Sequence, residues 1–215
     1  MKEDNFVYML IALVLFLVGQ PVLGYLHIIP DALEMPIASI LLLGIGVWSL
    51  ADSKVTFRIG MTFALLGIVA SVVAAYNEQT TYKLLSVAAL FCFLLLSTRS
   101  AFIQIAFGEK LNLNRLLGAV CVYLLLGALW STLYSSLHQV SPESFSGAVS
   151  TEAGAGQWVY YSFVTLTTLG YGDILPVSPA ARALAYAEAI IGVFYMAVLV
   201  AMLVSAYAAD RQKDT

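Results

Sequence analysis

Seven consecutive residues, Thr167-Thr168-Leu169-Gly170-Tyr171-Gly172-Asp173, have types and spacing suited to coordinating an ion with the backbone. Two glycines flank a single tyrosine, so the chain can enter conformations that residues with a β-carbon adopt reluctantly, placing successive carbonyls on one side. Thr168 adds a hydroxyl below that row. Repeated around a symmetry axis, such a strand makes stacked oxygen rings that can replace the water around a dehydrated cation. The composition is that of an ion filter and not of an enzyme site, so neither catalysis nor a cofactor is expected.

A filter needs walls, and the rest of the chain supplies apolar ones. Of 215 residues 61% are hydrophobic and 11% charged, and the mean hydropathy is +0.90. The apolar residues fall into runs that reach the roughly 20 residues needed to cross a bilayer as a helix. These are Phe6 to Leu26 (interrupted by Gly19-Gln20-Pro21, where a kink is expected), Leu33 to Ala51 with Trp48 as an interfacial anchor, Phe57 to Tyr76, Tyr82 to Thr98, Asn112 to Leu137 and Pro179 to Tyr207. Residues 101–107 either finish the fourth run or lie along the membrane surface. Glu3 and Asp4 beside Lys2, with no small-residue cleavage site following, argue against a signal peptide.

Residues 139–156 are rich in Ser, Gly and Ala and read as a flexible exposed loop. After them Gln157 to Thr167 is apolar and aromatic but too short to span, and it runs directly into the glycine stretch. A re-entrant helix is the expectation. The fold class is therefore an all-α membrane protein with six transmembrane helices, and a re-entrant pore helix and filter loop between helices five and six. A formal net charge of −3 and the lack of a basic cluster exclude nucleic acid as a partner. Cys92 and Cys121 lie inside apolar runs and are expected as buried free thiols, and His27 and His138 as interfacial polar residues.

Basic residues are retained on the cytoplasmic side of membranes, which fixes an orientation without reference to the filter. With the amino terminus inside, Lys2, Lys54, Arg58, Arg99, Lys110, Arg115, Arg211 and Lys213 are cytoplasmic, and only Lys83 and Arg182 are outside. Both termini are then cytoplasmic and the glycine stretch faces outward.

Residues 167–173 resemble the TVGYG signature of tetrameric potassium channels, with Leu169 where valine is usual, and residues 112–207 match the order of that superfamily's pore. The resemblance implies a potassium-selective homotetramer in which the carbonyls of Thr168, Leu169, Gly170 and Tyr171, with the Thr168 hydroxyl, line ion sites ending at Gly172. The side chains of Leu169 and Tyr171 would point back into protein, so selectivity survives the leucine. Thr167, Tyr160, Tyr161 and Asp173 would support the filter, the two tyrosines as an aromatic cuff whose hydroxyls reach Tyr171 or Asp173, or else as membrane-interface aromatics. Some members pair an acid of the pore helix with the aspartate after the filter; Val164 stands at that acid's position here. Gly192 matches the superfamily's hinge, though a glycine there also suits close packing. Met196, Ala197, Val200, Ala201 and Val204 share one helix face that would line the cavity and gate.

Glu188 is an ionisable group inside a spanning run, which is costly and therefore a functional candidate. It is either bonded behind the filter or a proton-sensitive gate element. Glu143, Glu152 and Asp173 make the outer segment acidic, which concentrates cations at a four-fold mouth unless the glutamates are merely solvated. The expected domains are a four-helix front domain (1–110), a pore domain (111–208) and a short cytoplasmic tail (209–215). A voltage sensor needs several arginines at every third position, and between Tyr82 and Thr98 the basic residues stop at Lys83. Bacterial six-helix channels without sensing charges resemble this arrangement, and a bacterial inner membrane is the expected location. The alternatives are a non-selective cation channel, a subunit of a potassium transport system and a non-conducting scaffold.

Overall fold

The computed structural model describes residues 5–25, 54–76, 79–106, 113–149 and 156–211. They form helices α1 (Asn5–Tyr25), α2 (Lys54–Tyr76), α3 (Thr80–Ala106), α4 (Leu113–Val140), α5 (Gly156–Leu166) and α6 (Pro179–Arg211), with strands β1 (Phe145–Gly147) and β2 (Ile174–Pro176). Four of the described helices contain stretches long and apolar enough to cross a membrane: Thr56–Ala74, Thr80–Ala106, Asn114–Val140 and Pro179–Met202. The apolar part of α1, Phe6–Gly19, is shorter. The expected second run, Leu33 to Ala51, with Trp48 and His27, lies outside the described residues, as do Glu152 and residues 107–110 and 212–215.

Apolar spans must satisfy their few polar side chains internally, because lipid offers no partner. Hydroxyls here return to the carbonyl one turn back: Thr98 to Leu94, Ser131 to Ala128 and Thr132 to Leu129, each at 2.7 Å. At the end of α3 the last carbonyls have no intrahelical donor. The Arg115 guanidinium fills that role, donating to the carbonyls of Ile105 and Ala106 and setting a positive charge against the negative helix end. Helix α3 therefore continues through Arg99 to Ala106, and residues 101–106 extend it.

Packing proceeds from neighbour to neighbour: α2 on α3, α3 on α4, and α1 on α4. Phe6, Met9 and Leu13 of α1 meet Leu94 of α3 and Val122 and Leu125 of α4 in one buried cluster, with Tyr195 and Leu199 of α6 against it. Phe6 fits over Gly118, where a β-carbon would stand 3.0 Å from the ring. Both cysteines are free, Cys121 buried and Cys92 partly so.

A second cluster is aromatic and surrounds α5. Trp130 and Tyr134 of α4, Phe145 of β1, Trp158 and Tyr161 of α5, and Ile174 of β2 bury one another. Their rings meet edge-on or tilted, as between Tyr134 and Tyr161 at 4.7 Å and 75°, the geometry that the ring quadrupole favours. Phe145 belongs to the segment expected as an exposed loop, and here the expectation is corrected. Residues 142–144 form a 3-10 turn, and β1 pairs antiparallel with β2, Phe145 opposite Pro176 and Gly147 opposite Ile174. The fold is mostly helical and includes this two-stranded ribbon. The reason is burial: Phe145 and Ser144 are enclosed, and the Ser144 carbonyl accepts from the amides of Val177 and Ser178.

Candidate functional site

The glycine stretch begins where α5 ends. The last carbonyls of a helix need donors, and the stretch supplies them: Thr167 N–H donates to Phe163 (3.1 Å), Thr168 to Thr165 (2.9 Å), and Leu169 and Gly170 both to Val164 (2.9 and 3.2 Å). With the amides of Thr168, Leu169 and Gly170 turned onto α5, the carbonyls of the preceding residues point away from it, since N–H and C=O lie on opposite sides of a trans peptide. Among the described residues, none of the carbonyls of Thr168, Leu169, Gly170 and Tyr171 accepts a hydrogen bond.

Backbone handedness alternates along the same residues. Thr168, Gly170 and Gly172 have φ of +59°, +58° and +80°, while Leu169 and Tyr171 between them do not enter that region. Alternation of this kind converges amides on one edge of the strand and leaves carbonyls on the other. The glycines adopt it at no steric cost. Thr168 is a β-branched residue held left-handed, at roughly 1–2 kcal/mol, and strain of that kind collects at functional sites.

Tyr160 and Asp173 brace the C-terminal end of the stretch. The Tyr160 hydroxyl donates to Asp173 Oδ2 at 2.6 Å, and its ring stacks on Tyr171 with centroids 6.4 Å apart and planes 8° from parallel. That hydrogen bond holds the Asp173 carboxyl below its ordinary range and pushes the Tyr160 phenol up to about 12. The Ile174 amide binds the second carboxylate oxygen at 3.1 Å, and the Asp173 carbonyl accepts from Ala148 at 2.7 Å, beside β1. Gly147, at φ +98°, allows this approach, since a β-carbon there would lie 2.1 Å from the Asp173 oxygen. Beyond β2, Ser178 caps α6 by accepting from the Ala181 amide at 3.1 Å, with Pro179 as the first helical residue.

The expected support residues divide. Tyr160 contacts Tyr171 and Asp173; Tyr161 is buried in the aromatic cluster behind α5. The Thr167 hydroxyl returns to the Phe163 carbonyl at 2.6 Å. Val164 is buried, and its carbonyl anchors the amides of Leu169 and Gly170. Within the single chain Leu169 is 54% exposed, and Tyr171, beyond its contact with Tyr160, is 66% exposed.

Helix α6 meets the C-terminal end of α5 at Gly192, where a β-carbon would stand 2.2 Å from the Leu166 carbonyl oxygen. The same carbonyl accepts from the Tyr123 hydroxyl at 3.4 Å. One turn earlier, Glu188 is fully buried. Its Oε2 lies 2.5 Å from the Tyr134 hydroxyl of α4 and its Oε1 2.5 Å from Ser162 Oγ of α5; Ser162 Oγ also reaches the Gly127 carbonyl at 2.8 Å. Met196, Ala197, Val200, Ala201 and Val204 are exposed along the later part of α6. Of the apolar stretch of α6, 11% is buried in the chain, against 61% for α4.

Sequence reasoning missed Tyr134, Ser162, Tyr123 and the β1 strap. A buried glutamate announces that partners exist, but the chain offers many hydroxyls and only packing selects two of them.

Residues 118–209 match the model of a family described as ion channel. The chain is similar to two-pore potassium channel c of Oryza sativa subsp. japonica, 33% identical over 91 residues, which is 42% of this chain and 18% of that protein. It is also similar to two-pore potassium channel 1 of Arabidopsis thaliana, 38% identical over 76 residues, 35% of this chain and 18% of the relative. The chain thus spans less than a fifth of the length of these curated relatives. No solved structure matches it. Through the segment that holds α4, α5, the glycine stretch and α6, this multi-pass membrane protein matches an ion channel family and is similar to potassium channels.

Proposed function

We propose that the protein is the subunit of a potassium-selective channel that conducts passively through a four-fold filter of backbone carbonyls. The observation that carries the reading is the alternation of handedness at Thr168, Gly170 and Gly172, with the amides turned onto α5 and one carbonyl row left free of bonds. A single row cannot enclose a cation, so copies related by a symmetry axis are required. The open apolar surface of α6 supports the same requirement, as do the exposed flanks of Leu169 and Tyr171.

In this reading α5 is the re-entrant pore helix, between the fifth and sixth of six spans. Thr168 to Gly172 form the ion sites, Tyr160, Tyr161, Thr167 and Asp173 hold them, and Met196, Ala197, Val200, Ala201 and Val204 line the cavity below Gly192. By the charge split both termini are cytoplasmic, and the membrane is a cell membrane, read as a bacterial inner membrane. Potassium is the permeant ion, and no cofactor takes part. Helices α1, α2 and α3 pack beside the pore-forming α4, α5 and α6 without sensing voltage. Selectivity is supported by the intact Gly-Tyr-Gly and by the relatives, both potassium channels by name.

The test is rubidium flux and reversal potential, with purified protein in liposomes and planar bilayers under opposed potassium and sodium gradients. Gly170→Ala places a β-carbon on a backbone at φ +58° and is expected to abolish flux. Equal flux in wild type and variant leaves a scaffold or a transporter. A reversal potential indifferent to the two cations leaves a non-selective channel.

A further inference from the structure

The contacts around Glu188 can be read as a count of protons. Three short oxygen pairs meet there: Tyr134 with Glu188 Oε2, Ser162 with Glu188 Oε1, and Ser162 with the Gly127 carbonyl. Each needs one proton between its oxygens, since two acceptors at such distances repel. Tyr134 supplies one. Ser162 has a single proton, and the Gly127 carbonyl can only accept, so that proton goes to Gly127. The Ser162–Glu188 pair is then left without a donor unless the carboxyl itself carries the proton.

We infer that Glu188 is a neutral carboxylic acid that donates to Ser162 and accepts from Tyr134, and that this chain of hydrogen bonds positions the pore helix. All bonds then run in one sense, Tyr134 to Glu188 to Ser162 to Gly127, with Glu188 and Ser162 each donating once and accepting once, an arrangement in which successive bonds strengthen one another. Burial agrees with a neutral group, because an ionised carboxylate at membrane depth requires a partner charge. The titratable groups facing Glu188 are Tyr134 and Tyr123 of α4 and Tyr161 of α5, and no basic side chain bonds to it among the described residues.

The chain fixes the register of α6 on α5. Glu188 meets Ser162, and one turn further along both helices Gly192 meets Leu166, the residue before Thr167 and Thr168. Two contacts one turn apart on each helix resist both sliding and rotation of α5, so Glu188 acts on the ion sites through α5 without touching an ion.

The positioning role rests on the channel reading, and the protonation does not, so two measurements separate them. In the infrared difference between wild type and Glu188→Gln, at neutral pH in lipid, the wild type is expected to show a protonated-carboxyl C=O band. A difference confined to carboxylate bands overturns the inference. In rubidium flux, Glu188→Gln keeps the pattern, its amide donating to Ser162 and accepting from Tyr134, and stays within about twofold of wild type. Glu188→Ala leaves the buried Tyr134 hydroxyl without its acceptor and cuts the tie between α6 and Ser162, and loses about tenfold or more. Gln falling as far as Ala means that charge is needed, and Ala conducting like wild type removes the positioning role. If wild type itself carries no flux, the channel reading fails. The infrared band and a thermal stability order of Glu and Gln above Ala then still decide the inference.

Discussion

Gly192→Ala sets two calculable effects against each other. In a helix interior alanine is favoured over glycine by about 1 kcal/mol, so propensity alone makes the variant more stable. Against this, the new β-carbon would lie 2.2 Å from the Leu166 carbonyl oxygen, 3.1 Å from its carbon and 3.0 Å from Leu166 Cδ1. The oxygen and carbon are backbone, so helices α5 and α6 must separate by roughly 1 Å; overpacking of that order costs about 1–3 kcal/mol. The expected balance is a net loss of about 1 kcal/mol. Function should suffer more than stability, because the displaced carbonyl belongs to the residue before Thr167, and a shift of that order misplaces the carbonyl row beyond the tolerance of a coordinating site, roughly 0.5 Å. Thermal unfolding in detergent and rubidium flux in liposomes read the two quantities. Gly19→Ala is the control, a glycine of α1 with nothing within 4 Å of the added carbon, where only propensity acts. If Gly192→Ala gains stability as Gly19→Ala does and keeps full flux, α6 does not press on Leu166 and the reasoning fails.

Other expectations concern the C-terminal end of the glycine stretch. Asp173 has a depressed carboxyl, so its bond to Tyr160 is fully present above the ordinary value of 3.8 and is lost as pH falls through the lower folded value. Tyr160 is raised, so on the alkaline side the bond persists through 10 and is lost near 12. Flux in wild type should therefore hold on mild acidification, whereas Tyr160→Phe lowers it at neutral pH and raises the Asp173 pKa, readable by carbon NMR of labelled aspartate; an unshifted Asp173 contradicts the geometry. Gly147→Ala meets both a φ of +98° and the Asp173 oxygen, so the ribbon should open with a loss of about 1–3 kcal/mol in thermal unfolding. Unchanged stability there shows that β1 does not hold Asp173.

Much of this protein is legible in order along the chain, because the features concerned are local. Apolar length marks α2, α3, α4 and α6, a short aromatic run marks α5, and Gly170 and Gly172 announce an unusual backbone. Even the Tyr160–Asp173 bond is foreseeable, being a contact between an α5 residue and the end of the stretch that α5 feeds. Those inferences need only the bilayer's thickness and the conformational range of glycine. What tertiary structure alone decides is which distant groups share a buried space. Residues 142–147 look like an exposed serine and glycine loop until Phe145 finds the ring cluster of Trp158 and Tyr161, and then the strand pairs with residues 174–176. Thr168 carries no mark of its left-handed backbone, which is imposed by amides seeking the carbonyls at the end of α5. Gly192 reads equally as hinge or packing site, and only the structure shows how closely it approaches the Leu166 carbonyl. Glu188 is conspicuous in the sequence as a cost; Tyr134, 54 positions away, and Ser162, 26 away, become its partners only when three helices meet, since hydrogen-bond satisfaction depends on position in space and not on order in the chain.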